Sequence, residues 1–431
     1  MAKPGDKVKL VCKDEDIEGI LMPSEAADSV IVKLDSGYNI GVEKKKIKEI
    51  KVLEALKEKR EKTVKVKQNP KLPTIAILHT GGTIASKVDY RTGGVTSRFS
   101  PEEIVGMFPE LAGIANIDSE LIANMWSDDL RFKHFELIAK TVEKHVKKSV
   151  DGIIISMGTD NLAVASAAMA FVIEETPIPI IFVGAQRSSD RGSSDAAMNL
   201  ICAVEFIAKS DFAGVALCMH DGSADEVSAI LPASKTRKLH SSRRDAFKAV
   251  NYTPIAKVNY KTKKVELINN LDYKKDKKRS IVLKPKFEEK VGLLKIHINM
   301  FPEQFEFFKG YKGLVIEGTG LGQTPGHAPN EICNIHKKIF PAIKKVIDSG
   351  CVIVMTTTTI FGRVNMNVYD KARDLVDLGI IPGEDMLSET AFVKLAWLLG
   401  NHKKEEVKKL MTQNLRGEIT ERSEYEEEFL D

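Results

Sequence analysis

Cysteines are few in this 431-residue sequence, and long apolar runs are missing. The five cysteines are scattered and never form a CxxC pair, which argues against a disulfide framework and is typical of reduced thiols in a cytosolic protein. No stretch approaches the roughly 18 apolar residues of a membrane span, and the first residues, MAKPGDKVKLVC, lack the apolar core of a signal peptide. We therefore expect a cytoplasmic protein with no membrane segment and no bound metal.

A large net charge is also missing, since 64 Lys and Arg residues face 60 Asp and Glu residues. The charge is unevenly distributed, however. Residues 41–72 hold 12 basic against 5 acidic side chains, residues 257–279 hold 9 against 3, and residues 416–431 hold 7 acidic against 2 basic ones. For the first basic segment a solvated linker is favoured and an RNA-facing patch is the alternative.

Two kinds of hydrophobic pattern divide the chain. Short alternating runs separated by Gly, Pro, Asp and Asn fill residues 6–53 and predict a small β-barrel of the SH3 or Sm kind, which could bind peptides or RNA or dock a partner. From residue 72 onward, strand-like runs alternate with helix-period segments, which predicts a mainly parallel α/β sheet. The predicted divisions are 1–54 for the barrel, 55–72 for the charged linker, 73–256 for a larger α/β domain, 257–290 for a connector, 291–415 for a smaller α/β domain and 416–431 for an acidic tail.

The stretch TIAILHTGGTIAS at residues 74–86 organises the larger domain. A buried strand would end here in two glycines, whose unshielded N–H groups form a pocket for a small polar side chain. Thr83 would stand beside that pocket. The same residues also suit an ordinary strand-to-loop turn.

A second polar loop, Gly158-Thr159-Asp160, follows the apolar run GIIIS directly. In open parallel sheets, ligands lie beyond the carboxyl ends of the strands, so this loop and Thr83 are expected to face one cleft. The loop could simply cap the helix that follows. An aspartate there is also well placed to orient a lysine or to bind an ammonium group.

The order TGGTIA, GTD, IPIIFVGAQR and then a lysine before AFKAVNY resembles the two-domain bacterial-type asparaginases and glutaminases, over residues 72–400. The N-terminal barrel, the sequence LHSSRRDAF at residues 239–247 and the acidic tail resemble instead the D subunits of archaeal-type glutamyl-tRNA(Gln) amidotransferases. The resemblance implies an α/β, two-domain asparaginase-like parallel-sheet core preceded by the small β-barrel.

The resemblance also assigns catalytic residues. Thr83 matches the family's nucleophilic threonine, and Thr159 and Asp160 match its Thr-Asp pair. Lys238 lies nine residues before Phe247, the spacing that the family shows for its catalytic lysine. Lys235 is the competing candidate, and its replacement should reduce turnover only mildly.

Substrate-binding residues follow from the same motifs. Ser127 matches the serine that holds the substrate α-carboxylate, and Asp128 stands where many asparaginases have glutamine. Tyr90 matches a tyrosine that supports the nucleophile. Gly82 and Gly158 are expected to line the pocket with backbone N–H groups.

The resemblance implies that the chain is an amidohydrolase that releases ammonia from glutamine or asparagine. The resemblance implies a GatE-like partner subunit that uses the ammonia to convert Glu-tRNA(Gln) to Gln-tRNA(Gln), and a homodimer within a D2E2 heterotetramer. No cofactor is expected in this chain, while ATP and Mg are expected in the partner.

The alternatives are a free-standing L-asparaginase with an accessory barrel and a non-catalytic tRNA-docking subunit. The run EGTGLG at residues 317–322 lacks the GxGxxG spacing of a dinucleotide site and is better read as a glycine turn.

Overall fold

The computed structural model describes residues 2–23, 28–35, 39–55, 68–82, 84, 87–88, 95–96, 100–189, 193–269 and 274–423. Within these ranges no helix combines the length and apolar character needed to traverse a bilayer.

The N-terminal residues form a small antiparallel β domain. Its strands are β1 (Lys7–Cys12), β2 (Ile17–Leu21), β3 (Ser29–Lys33), β4 (Asn39–Glu43) and β5 (Ile47–Glu54), in the spatial order β4-β3-β2-β1-β5. Alternate residues of the first four strands point to one face, where Val8, Leu10, Val32 and Val42 form the core. The small β domain expected from the alternating pattern is confirmed.

The larger α/β unit follows. In chain order its elements are β6 (Thr74–His79), β7 (Lys87–Val88), β8 (Val95–Thr96), α1 (Pro101–Met107), β9 (Asn116–Leu121), α2 (Phe132–Lys147), β10 (Gly152–Ser156), α3 (Leu162–Val172), β11 (Ile173–Glu175), β12 (Pro179–Val183), α4 (Ala196–Lys209), β13 (Gly214–His220), β14 (Val227–Pro232), β15 (Thr236–Lys238), β16 (Phe247–Ala249), β17 (Ala256–Asn259), β18 (Val265–Leu267) and β19 (Val282–Leu283).

One eight-stranded sheet, ordered β18-β17-β14-β13-β12-β10-β6-β9, supports this unit. Strands β9, β6, β10, β12 and β13 run parallel, so their carboxyl ends meet at a single edge. The central strands β10 and β12 are buried along their whole length because helices cover both faces. The parallel α/β fold predicted from the alternating pattern is confirmed.

The predicted connector at 257–290 begins too early. Strand β17 pairs with β14, and β18 pairs with β17, so residues up to 267 extend the main sheet. Of the basic side chains that suggested a linker, Lys257 lies on β17, and Lys261, Lys263 and Lys264 lie between the short antiparallel strands β17 and β18. Such strands bury one face only, so their sequence lacks the continuous apolar runs of the parallel strands.

The smaller unit is a four-stranded parallel sheet with helices around it. Its elements are β20 (Val291–Lys295), α5 (Pro302–Glu306), β21 (Gly313–Gly318), α6 (Ile339–Asp348), β22 (Val352–Thr357), α7 (Asp370–Asp377), β23 (Ile381–Pro382), α8 (Ser388–Asn401) and α9 (Lys404–Met411). Helix α8 packs between this sheet and α3, so one hydrophobic core runs continuously through both units.

The beginning of the predicted acidic tail is part of this core. The Glu418 side chain is fully buried and pairs at 2.6 Å with the equally buried ammonium of Lys394. That carboxylate also accepts hydrogen bonds from the backbone N–H groups of Leu415 and Arg416. Residues 416–420 are therefore not the peripheral segment that their composition suggests, while residues 424–431 lie outside the described part of the chain.

Candidate active site

Four loops converge beyond the carboxyl ends of the parallel strands. Gly81 and Gly82 follow β6 with φ angles of +107° and +91°, a conformation that side-chain-bearing residues rarely adopt. A Cβ atom on Gly82 would lie 2.4 Å from the backbone nitrogen of Gly158 in the loop after β10. Likewise, a Cβ atom on Gly158 would lie 3.0 Å from Ser127 Oγ, and one on Gly184 would lie 2.8 Å from a methyl carbon of Thr159. The absence of side chains at these glycines lets the loops touch.

Lys238 reaches into this junction from the end of β15. Its Nζ atom donates a hydrogen bond to Thr159 Oγ1 at 3.0 Å and another to Asp160 Oδ1 at 2.8 Å. The Lys238 side chain is 14% exposed, whereas that of Asp160 is 67% exposed. The structure thus brings together three of the four residues that the sequence analysis assigned to catalysis.

The hydroxyl of Thr159 has a second partner, Gln186, which the sequence analysis did not single out. Because the ammonium of Lys238 only donates, the hydroxyl accepts from it and donates its own hydrogen to Gln186 Oε1 at 3.1 Å. The only signal for Gln186 was its place in the GAQR loop after β12.

Ser127 and Asp128 form a 3₁₀ turn beside the start of α3. Ser127 is buried, and its Oγ atom accepts a long hydrogen bond of 3.4 Å from the backbone N–H of Asn161. The exposed Asp128 carboxylate accepts from Asn161 Nδ2 at 3.3 Å. Both polar groups therefore lie next to the Thr159-Asp160 loop.

The competitor Lys235 has a different environment, although it lies only three residues before Lys238. Its side chain is fully buried, and Nζ donates to Asp385 Oδ2 at 2.6 Å and to the Asp385 carbonyl at 3.1 Å. Burial lowers the pKa of Lys235, an effect that the neighbouring Asp385 carboxylate opposes. Because this pair joins the larger unit to the smaller one in the core, we expect replacement of Lys235 to lower the stability of the fold, whatever its effect on turnover.

His79 lies behind the glycine turn as the last residue of β6. Its Nδ1 atom is 2.8 Å from Ser156 Oγ, and its Nε2 atom is buried with no hydrogen-bond partner in the structure. Burial lowers the pKa of His79 to about 4. The imidazole is therefore neutral near pH 7 and takes no part in charge balance at the site.

Two predicted residues, Thr83 and Tyr90, lie outside the described residues. The glycines that precede Thr83 are described, and they place residue 82 against the Gly158 loop.

Comparison with known proteins matches three family profiles along the chain. "GatD N-terminal domain" covers residues 2–53, "Asparaginase, N-terminal" covers residues 74–273 and "Glutaminase/Asparaginase C-terminal domain" covers residues 290–411.

Full-length relatives are the glutamyl-tRNA(Gln) amidotransferase D subunits of Methanococcus maripaludis and Pyrococcus furiosus. The first is 44% identical over 422 residues, which are 97% of this chain and 98% of that protein. The second is 44% identical over 428 residues, which are 96% of this chain and 94% of that protein.

Among solved structures, the thermostable L-asparaginase of Thermococcus kodakarensis superimposes with a TM-score of 0.70 at 28% identity, covering 80% of this chain and 99% of that one. L-asparaginase I of Vibrio cholerae gives a TM-score of 0.68 at 25% identity, covering 81% and 99%. The chain therefore belongs to the family of glutamyl-tRNA(Gln) amidotransferase D subunits, built on an asparaginase-type amidohydrolase core.

Proposed function

We propose that this chain hydrolyses the side-chain amide of glutamine, or of asparagine, and that the ammonia serves a GatE-like partner subunit in converting Glu-tRNA(Gln) to Gln-tRNA(Gln). The observation that carries the proposal is the contact of Lys238 with both Thr159 and Asp160 beside the Gly81-Gly82 turn. These are the groups that an amidohydrolase with a threonine nucleophile needs, and they meet where α/β sheets bind ligands.

The reaction assigns a role to each group. Thr83 Oγ attacks the amide carbon, and N–H groups of the Gly82 and Gly158 loops receive the oxyanion, a contribution of ~3–4 kcal/mol for one such donor. The Lys238 amine, held against Asp160 and Thr159, exchanges protons with the attacking hydroxyl and with the departing nitrogen. Ammonia leaves, and water then cleaves the acyl-threonine to release the acid.

The rest of the site binds the amino-acid end of the substrate. Ser127 donates to the α-carboxylate, the Asp128 carboxylate attracts the α-ammonium, and Tyr90 supports the nucleophile. No cofactor acts in this chain, while ATP and Mg belong to the partner, where the acceptor carboxylate is activated. The assembly is a homodimer of this chain within a D2E2 heterotetramer.

Replacement of the nucleophile tests the hydrolysis. Thr83→Val should abolish ammonia release from glutamine and asparagine while leaving the thermal unfolding midpoint nearly unchanged. Thr159→Val should do comparable damage. Near-normal release by Thr83→Val would remove this threonine from the mechanism.

A steady-state ammonia assay tests the coupling to tRNA. Ammonia is wasted unless an acceptor is ready, so release should rise at least about tenfold when the partner and Glu-tRNA(Gln) are both present, which is ~1.4 kcal/mol in the barrier. Deleting residues 1–70 should weaken this stimulation more than it weakens basal hydrolysis. Equal rates with and without the complex would instead make the chain a free-standing asparaginase.

A further inference from the structure

Five polar side chains behind the site have no role in the proposed reaction. They are Asp195, Asn199, His220, Asp225 and Arg244, called here the Asp195–Arg244 network. Asp195, Asn199 and His220 are fully buried. Burying polar groups costs free energy unless each one finds a partner, so three of them in contact call for a physical explanation.

The inner end of the network holds the loop that carries Gln186. The Asp195 carboxylate accepts from the backbone N–H of Gln186 at 3.1 Å and from that of Arg187 at 2.9 Å. Asp195 immediately precedes α4, where an aspartate usually caps the helix, yet its side chain makes no such bond. Its carboxylate instead fixes the backbone from which Gln186 reaches Thr159.

The middle of the network is a chain of directed hydrogen bonds. Asn199 Nδ2 donates to Asp195 Oδ2 at 3.0 Å and to the carbonyl of Gly184 at 3.0 Å, which leaves Oδ1 as the acceptor. His220 Nδ1 lies 2.7 Å from this oxygen, and His220 Nε2 lies 3.1 Å from Asp225 Oδ1. The His220 ring therefore bridges the Asn199 amide and the Asp225 carboxylate.

The outer end of the network is Arg244, which belongs to the hairpin that carries Lys238. Arg244 Nη1 donates to Asp225 Oδ1 at 2.5 Å, and Nη2 donates to the carbonyl of Ser223 at 2.7 Å. Arg244 lies in the segment between β15, which ends at Lys238, and β16. The network therefore connects the hairpin that carries Lys238 to the loop that carries Gln186. These two residues are the hydrogen-bond partners of the Thr159 hydroxyl.

We infer that the Asp195–Arg244 network positions the side chains of Gln186 and Lys238 so that both keep their hydrogen bonds to the Thr159 hydroxyl. Arg244 is the member of the network that attaches it to the hairpin carrying Lys238. The effect of this network on turnover rests on the proposed function. The placement of the 184–187 loop does not depend on it. Arg244, Asp225 and His220 are positioning residues, since none of them contacts Thr159.

Arg244→Met tests the inference, because Arg244 is at the surface end and its loss should leave the fold intact. Ammonia release should fall about tenfold in kcat, with KM changed less than about twofold, because the hydroxyl is misdirected while the binding of the amino-acid end is kept. Arg244→Lys should recover part of the loss. The matched control is Arg243→Met, which removes the neighbouring arginine with its surface bonds to Asp245 and should leave kcat unchanged.

A double-mutant cycle asks whether the effect passes through Gln186. In a Gln186→Leu background, Arg244→Met should cost less further activity than it costs in the wild type, because one of the two groups that the network positions is already gone. Multiplication of the two losses would overturn the inference.

Amide hydrogen exchange supplies a readout that needs no activity. Arg244→Met should speed exchange in a peptide covering residues 182–189, whereas Arg243→Met should not. Unchanged exchange there overturns the inference even if the wild-type chain hydrolyses glutamine. Faster exchange with no ammonia release from the wild type would instead support the network and refute the proposed function.

Discussion

Two lysines three residues apart make the same kind of ion pair in opposite surroundings. Lys235 meets Asp385 at 2.6 Å with both side chains buried, and Lys238 meets Asp160 at 2.8 Å with the aspartate largely in solvent. The buried pair is fixed by the packing of both α/β units around it. In the outer pair, Lys238 also donates to the Thr159 hydroxyl, and the aspartate is open to solvent, so this pair is available to a substrate in the cleft.

The largest expected effect is on activity at the outer pair. Lys238→Met should reduce ammonia release by roughly 10²–10⁴-fold, the usual range for a proton-transferring group, with little change in the thermal midpoint. Combining it with Asp160→Asn should cost little more, because groups that act as one unit are not additive. If the two losses simply multiply in steady-state assays, the pair does not act as a unit.

Next in size is the stability of the buried pair. Lys235→Met should lower the free energy of unfolding by about 3–5 kcal/mol, because it leaves the buried Asp385 carboxylate without its nearest cation and with only Arg363 at 3.7 Å. Lys238→Met is the matched control at the same hairpin. Equal thermal midpoints for the two variants in calorimetry would contradict the contrast between the lysines.

A third, somewhat smaller effect is the loss of stability at acid pH that the buried His79 causes. The pKa of His79 is about 4 in the folded chain, against 6.5 for an ordinary histidine, so between these values the unfolded chain binds more protons. This contribution to stability is present above about pH 6.5 and is lost as the pH falls towards 4, by about 3 kcal/mol.

Urea unfolding at pH 7 and at pH 4.5 would measure this effect. His79→Gln should show a smaller loss of stability between the two pH values than the wild type. A larger loss of stability in the variant than in the wild type would mean that groups other than His79 control the acid sensitivity of the fold.

The smallest expected effect is at the rim of the site. Asp128→Asn removes an exposed charge proposed to attract the substrate ammonium, and exposed pairs contribute ~0.2–1 kcal/mol. KM for glutamine should therefore rise up to about fivefold with kcat nearly unchanged. The effect should shrink at high salt, where exposed charges are screened. A large fall in kcat would move Asp128 into the chemistry.

The sequence predicted the elements whose signals are local. Strands β6 and β10 were visible as apolar runs ending in glycine loops, and the choice of Lys238 over Lys235 followed from motif spacing. In the structure, Lys238 contacts Thr159, whereas Lys235 contacts Asp385.

Contacts between distant parts of the chain gave no such signal. Glu418 and Lys394 read as ordinary surface charges because composition does not reveal which charges will meet in a core. In the Asp195–Arg244 network, side chains bond to groups up to 21 positions away in the chain, and no periodicity records that kind of contact. The short antiparallel strands β17 and β18 were missed because one exposed face makes a strand look like a charged loop.

The buried pair of Glu418 and Lys394 also bears on how the chain folds during synthesis. Helices α3 and α8, which pack together, leave the ribosome before residue 418 does. Until Glu418 arrives, the ammonium of Lys394 has no counter-charge in its apolar surroundings, which opposes closure of the core around α8. The nascent chain should therefore keep that helix face exposed until late in translation, and this stage is where chaperone binding or aggregation would compete with folding.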